Sequence, residues 1–169
     1  PTVRVEHSLT VLRDHVGFDR IREAAGNTLQ GWRIAPHYGC HALRPSAATH
    51  FDDPLAPTVM ESVLGAARAR VLDWPLRLEC CGNPLWEKNR ELALALARKK
   101  LMDAEQAGAD VLCTACTYCQ LQFDTVRAEH LPELSAPPAM TLPQILGLAL
   151  DVDRSELGLD ANRIAPPSL

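Results

Sequence analysis

The sequence predicts an α/β fold, a single domain built on a small, mainly parallel sheet of about four strands flanked by helices, with cysteines at the strand-to-helix turns. Short apolar stretches around Trp32–Ile34, Arg70–Trp74, Ala109–Cys113 and Pro137–Thr141 alternate with segments of helical periodicity, and that alternation is the mark of a parallel sheet. The 169 residues, 47% of them hydrophobic, suffice for one core and show no internal repeat or low-complexity tract. The cysteines gather just beyond the predicted strands, where an open sheet collects its ligands.

In chain order, Val5, Leu9, Leu12 and Val16, then Phe18, Ile21 and Ala24, predict two short helices between Val3 and Ala25, separated near Gly17. The run Leu29–Tyr38 reads as the first strand and delivers the chain to Gly39 and Cys40. A loop rich in Pro, Ser and Asp follows, and Pro57 opens a helix with Val59, Val63, Leu64 and Ala67 on one face. Arg70–Trp74 is the second strand. Beyond Cys80-Cys81-Gly82, Asn83 is expected to cap a long helix with Pro84 at its first position. Its inward stripe is Leu94, Ala97, Leu101 and Ala104; Lys99 and Lys100 fall on its solvated face, and Gly108 suits the left-handed position past its end. Ala109–Cys113 is the third strand, Cys116 and Cys119 lie at a turn, and Leu121–His130 is a helix. Pro137–Thr141 and a helix over Pro143–Leu150 complete the domain, and residues 151–169 form a surface tail.

The formal charge of −4 and the absence of a Lys/Arg block argue against nucleic acid as a partner. No stretch has the roughly 18 uninterrupted apolar residues of a membrane span, and no leader pattern opens the chain, so a cytoplasmic location is expected. Six clustered cysteines suit a metal or redox centre better than a disulfide scaffold in a chain this long. Helix N-termini at the strand ends present free amides and a positive potential, which favour the thiolate form that binds metal.

The pair Cys80–Cys81 is the most informative motif. Single-ion and cubane sites separate neighbouring ligands by two or more residues so that the backbone can curl round the metal. Adjacent cysteines direct their sulfurs apart, which suits a centre with several irons better than one tetrahedral ion.

Cys40, then 39 residues, Cys80-Cys81-Gly82, then 33 residues, and Cys116-Thr117-Tyr118-Cys119 resemble the cysteine-rich "CCG" domain of the heterodisulfide reductase B-subunit family. The run His37-Tyr38-Gly39-Cys40-His41-Ala42-Leu43-Arg44-Pro45-Ser46, the following Phe51-Asp52-Asp53-Pro54, and Thr141-Leu142-Pro143-Gln144 leading into Gly147-Leu148-Ala149-Leu150 are similar to the second, C-terminal such domain of those proteins. The resemblance implies a non-cubane [4Fe-4S] cluster bound by Cys40, Cys80, Cys81, Cys116 and Cys119. It implies reduction of a small-molecule or protein disulfide at that cluster, and an oxidoreductase active with partner subunits, a ferredoxin-like iron–sulfur subunit and a flavin subunit. It also implies that this chain, which starts at Pro1 without Met, is the C-terminal half of a longer two-domain subunit or a single-domain relative completed by a partner. The interval after Gly82 is slightly shorter than the family's, which a trimmed loop near Ala107–Gly108 absorbs.

Around these ligands, His37 and His41 are the candidate catalytic residues, each placed to hydrogen-bond a cluster sulfur or to deliver a proton to a leaving thiolate. Cys113 is a reserve ligand, more simply a buried strand residue. Arg44 is a candidate for an anionic substrate group, with a salt bridge to Asp52 or Asp53 the plainer alternative. Tyr118 is a pocket wall or a spacer. Two other readings stand beside the disulfide reductase: a structural zinc module held by four thiolates, zinc also being a substitute occupant in an isolated or air-exposed preparation, and an electron-relay domain of a quinone-linked oxidoreductase.

Overall fold

The computed structural model describes residues 3 and 5–167; Arg4 of the first predicted helical segment and Ser168 and Leu169 of the predicted tail lie outside them. Four parallel strands, β1 (Arg33–His37), β2 (Arg70–Val71), β3 (Val111–Thr114) and β4 (Ala139–Thr141), form one sheet in the order β2-β1-β3-β4. Ile34 pairs with Val71 on one side and with Val111 on the other, and Leu112 pairs with Ala139. The chain passes from β2 over β1 to β3, so the strand order reverses between β1 and β3, and the crevice beyond their C-terminal ends is where such sheets bind ligands.

Pro36 sits in the central strand, a position that normally demands an amide donor. It is tolerated because it lies on the parity that faces β2, which has already ended, and its carbonyl is taken by Trp74 Nε1 at 2.9 Å. The second strand is accordingly shorter than expected, with Trp74 beyond its end.

Side chains alternate between two layers. Ile34, Val111, Cys113 and Met140 face one, packed by α2 (Phe18–Ala24), α5 (Val59–Ala66) and α9 (Leu142–Ala149). Ala35, Leu112 and Ala139 face the other, packed by α6 (Arg90–Gln106) and by a helical run over Thr117–His130. Two helical turns precede α2, as expected: α1 (Ser8–Val11) and a wider turn over Leu12–Val16 ending at Gly17. The Pro/Ser/Asp loop contains two single helical turns, α3 (Cys40–Leu43) and α4 (Ser46–Thr49).

Several boundaries move for identifiable reasons. The fifth helix starts at Val59 rather than Pro57, because Asp52 Oδ2 accepts from both Thr58 N and Val59 N at 2.8 Å and caps it from a distance. The long helix starts at Arg90, capped by Asn89, whose side chain accepts from Leu92 N. Asn83 opens only a 3₁₀ turn over Asn83–Leu85, because its N–H is directed at Cys81 and its side chain reaches Gln122. Gly108, at φ +77°, ends that helix as expected. The next helix begins at Thr117, four residues early, and continues from α7 (Thr117–Leu121) through a π-type turn, Gln122–Val126, into α8 (Arg127–His130). Thr141 and Gln144 form a capping box that starts α9 at Leu142. The tail beyond Asp151 is held on the surface by Asp124, which accepts from Arg163 N and Ile164 N at 2.9 Å.

Arg127 is buried and fills three carbonyls of the β4 approach, donating to Leu134 O at 3.1 Å, Ala136 O at 2.6 Å and Pro137 O at 2.7 Å. Arg127→Met leaves those acceptors without a donor, at about 1–3 kcal/mol for a buried unpaired group, so urea unfolding should show a loss of about 3 kcal/mol. An unchanged midpoint would show that the loop finds other donors.

Candidate metal–sulfur site

The loops after β1, β2 and β3 bring five cysteines to the C-terminal edge of the sheet. Cys40 opens α3 directly after Gly39, Cys80 and Cys81 end the excursion from β2, Cys116 is the N-cap residue of α7, and Cys119 lies in its first turn. All six cysteines of the chain are free thiols.

The adjacent pair divides between two partners. Cys80 meets the Cys40 thiol, while Cys81 accepts from Cys119 Sγ at 3.4 Å. Gly82 makes the division possible: at φ +92° its N–H turns back to Cys80 Sγ, and a Cβ there would lie 2.5 Å from Ala93 O. The sulfurs thus form two neighbouring subsites, Cys40 with Cys80, and Cys81 with Cys119 and Cys116.

Hydrogen bonding separates their protonation. Cys119 Sγ donates to Cys81 Sγ and lies beside Cys116, and it is itself pushed far up by these neighbours and by burial, so it keeps its proton. The Cys81 thiol is drawn well down, first by that Cys119 donor and then, against burial, by His37 and the Asn83 N–H. Cys116 is drawn down to about 6, chiefly by Cys119 and, against burial, by the backbone N–H groups of Cys119 and Tyr118 at the helix start. Burial and the neighbouring Cys80 raise Cys40. A lowered thiol is ionised above its own pKa, so Cys116, the more accessible of the two thiolates, should lead alkylation of the metal-free protein. The iodoacetamide rate at Cys116, followed by peptide mass spectrometry, is expected to rise through pH about 6 rather than through the ordinary thiol range of about 8.5.

His37 is buried at the end of β1. Its Nδ1 is 3.2 Å from Arg77 O and 3.4 Å from Lys100 Nζ, and Nε2, which has no hydrogen-bond partner among the described residues, faces Cys81. One donor atom each from His37, Cys81 and Cys119 lie within 4.8 Å of one another. Although it precedes Cys40 in sequence, His37 serves the Cys81 subsite. His41 is exposed and lines the mouth of the site, a cavity of about 300 Å³ walled by Cys40, Cys81, Cys116, Cys119, Asn83, Pro84 and Tyr118. Tyr118, 67% exposed, is therefore a wall rather than only a spacer.

Other candidates fall elsewhere. Cys113 lies in the opposite core layer from Cys81 and Cys119, fully buried on the far face of β3, where burial raises its thiol well above the ordinary value. Arg44 makes no ion pair with Asp52 or Asp53, whose carboxylates are taken by backbone N–H groups; it reaches Pro54 O and borders a separate cleft of about 450 Å³ with Arg77 and Glu79. Lys100 is not on a solvated face but 1% exposed beneath the site. Its position was legible as the residue before Leu101 and three after Ala97, at the edge of the buried stripe, but periodicity assigns a lysine there to solvent.

These residues fit a metal–sulfur group: five thiols converge from three loops, two already favour the thiolate, and a buried imidazole nitrogen faces one sulfur without another partner. The chain belongs to the cysteine-rich CCG domain family, whose model matches residues 34–124. It is 30% identical over 169 residues to the B subunit of the ferredoxin/F(420)H(2)-dependent CoB-CoM heterodisulfide reductase of Methanosarcina acetivorans, covering 96% of this chain and 56% of that protein. It is also 30% identical over 166 residues to the 8-methylmenaquinol:fumarate reductase membrane anchor subunit of Wolinella succinogenes, covering 96% of this chain and 58% of the relative. The chain thus spans a little over half the length of these relatives. A crystal structure of a hypothetical protein from Helicobacter pylori shares the fold, with a TM-score of 0.64 at 14% identity over 88% of this chain and 28% of that one. Among the described residues no helix is long and apolar enough to cross a membrane.

Proposed function

We propose that Cys40, Cys80, Cys81, Cys116 and Cys119 hold an iron–sulfur centre, a non-cubane [4Fe-4S] cluster, and that the chain reduces a disulfide as part of a cytoplasmic heterodisulfide reductase-like complex. The observation that carries this reading is the division of Cys80 and Cys81 between Cys40 and Cys119, which provides two adjoining thiol subsites within one crevice. A lone zinc ion needs four ligands around one point, and a pair of adjacent cysteines serving different partners suits it poorly. When bound, the cluster supplies the electrons that a disulfide takes up on cleavage.

The chain's own residues do the rest. The mouth is largely apolar, and Pro84 and Tyr118 shield the sulfurs from water while leaving an opening for a narrow substrate. His41 stands at that opening, where its imidazole can give a proton to a thiolate leaving the substrate disulfide. His37, buried behind the site, orients Cys81 through Nε2. Electrons come from partner subunits of the ferredoxin-like and flavin classes. A second domain of the same kind, in a longer two-domain subunit or from a partner, would complete the substrate pocket.

The similarity to the fumarate reductase anchor subunit favours a second reading, an electron relay to or from a quinone. Anaerobic reconstitution should give about four irons and four sulfides per chain, with an electron paramagnetic resonance signal that changes on adding thiol. Absorption at the iron and zinc edges separates a cluster from a zinc site. Turnover of disulfides by the reduced complex supports the first reading; turnover of quinones alone would replace it with the relay.

A further inference from the structure

Lys100 is one of the largest fully buried side chains of the domain. Its Nζ lies over the Trp74 ring, 4.9 Å from the centroid, the ammonium donates to Leu76 O, and His37 Nδ1 is 3.4 Å away. Among the described residues no carboxylate lies within ion-pair distance of it; exposed Glu79 acts only at longer range. A methionine would fill this volume without burying a charge, so an ammonium here needs compensation. The negative charge that most favours the charged lysine is the Cys81 thiolate, ahead of exposed Glu79. Burial draws Lys100 down to about 8, which still leaves it mostly protonated at neutral pH. It also borders a cleft of about 260 Å³ that contains Cys80 and Lys99 but none of the cysteines lining the mouth.

We infer that Lys100 is a positioning residue for the metal–sulfur centre: a fixed buried cation that offsets the charge of the thiolates, stabilises the reduced centre and, through His37 Nδ1, keeps Nε2 aimed at Cys81. This rests on the iron–sulfur reading. If Lys100 accepts no role from the centre and only packs on Trp74, removing its charge changes stability and nothing else. If it is the counter-charge, the oxidised state gains when the charge is lost, because reduction adds an electron to a site no longer faced by a cation.

The test compares the anaerobically reconstituted full chain with Lys100→Met, Lys100→Gln and Lys100→Arg, reading iron content, near-ultraviolet circular dichroism and the midpoint potential. Methionine keeps an unbranched stem beside Trp74; should that variant not fold, glutamine retains a donor for Leu76 O and gives the same comparison. The expected result is unchanged iron with a midpoint lowered in the Met or Gln variant by at least tenfold in the reduction equilibrium, about 59 mV for one electron, and largely restored by Arg. Equal potentials at equal iron content overturn the role of Lys100 and leave the cluster reading intact. A wild-type chain that takes up no iron overturns the cluster reading, and this inference with it.

Discussion

Cys81→Ser should strip the reconstituted protein of most of its iron, whereas Cys113→Ala should bind as much as the wild type. Cys81 is drawn toward its thiolate form by Cys119, His37 and the Asn83 N–H. A serine hydroxyl in its place neither ionises at neutral pH nor offers the soft sulfur that iron–sulfur centres require. The same donors would then surround a neutral group. Cys113 takes no part in the cysteine cluster, since it lies across the sheet from Cys81 and Cys119. Its truncation removes one buried atom, at about 1 kcal/mol, so a small drop in melting temperature with full iron is expected. Equal iron loss in the two variants would mean that the metal occupies a different set of thiols.

Gly39→Ala should disrupt the site without replacing any ligand. Gly39 has φ +79°, and a Cβ built there lies 2.7 Å from Cys116 Cβ and 3.6 Å from Cys119 Sγ. The left-handed backbone alone costs an alanine about 1–2 kcal/mol. The new methyl must also push Cys116 away from Cys119, or displace the β1 end from the start of α7. Either movement takes Cys116 away from the Cys119 contact that draws its thiol down. The metal-free variant is expected to melt a few degrees lower, to lose the early alkylation of Cys116, and to take up little iron. Retention of full iron would show that the β1–α7 approach relaxes without disturbing the sulfurs.

Much of this architecture was legible locally. The four strand positions, the break at Gly17 and the helix stop at Gly108 follow from periodicity and from residues whose backbone preferences act alone. The displaced helix starts have other causes. Asp52 caps α5 from seven residues before Val59, Cys116 replaces a conventional polar cap at α7, and Asn83 turns to Cys81 and Gln122 instead of opening α6. The first and third depend on contacts that no short window contains, and the second on a cysteine standing where a polar cap is usual. The Arg44 alternative failed for the same reason, because the carboxylates expected to meet it are committed to backbone donors of the loop.

The sequence by itself determined the fold class and the placement of cysteines at the strand ends, because strand and helix periods and the adjacency of Cys80 and Cys81 are properties of neighbouring residues. Only the tertiary structure decided how those cysteines divide into pairs, which face of β3 Cys113 occupies, and that His37 serves Cys81 rather than the neighbouring Cys40. It alone turned Lys100 from a surface lysine into a buried cation beside a histidine 63 residues away. The physical reason is common to all four: a side chain's charge state and partners are set by what packs around it, and at this site those neighbours arrive from three separate loops and the helix beneath them.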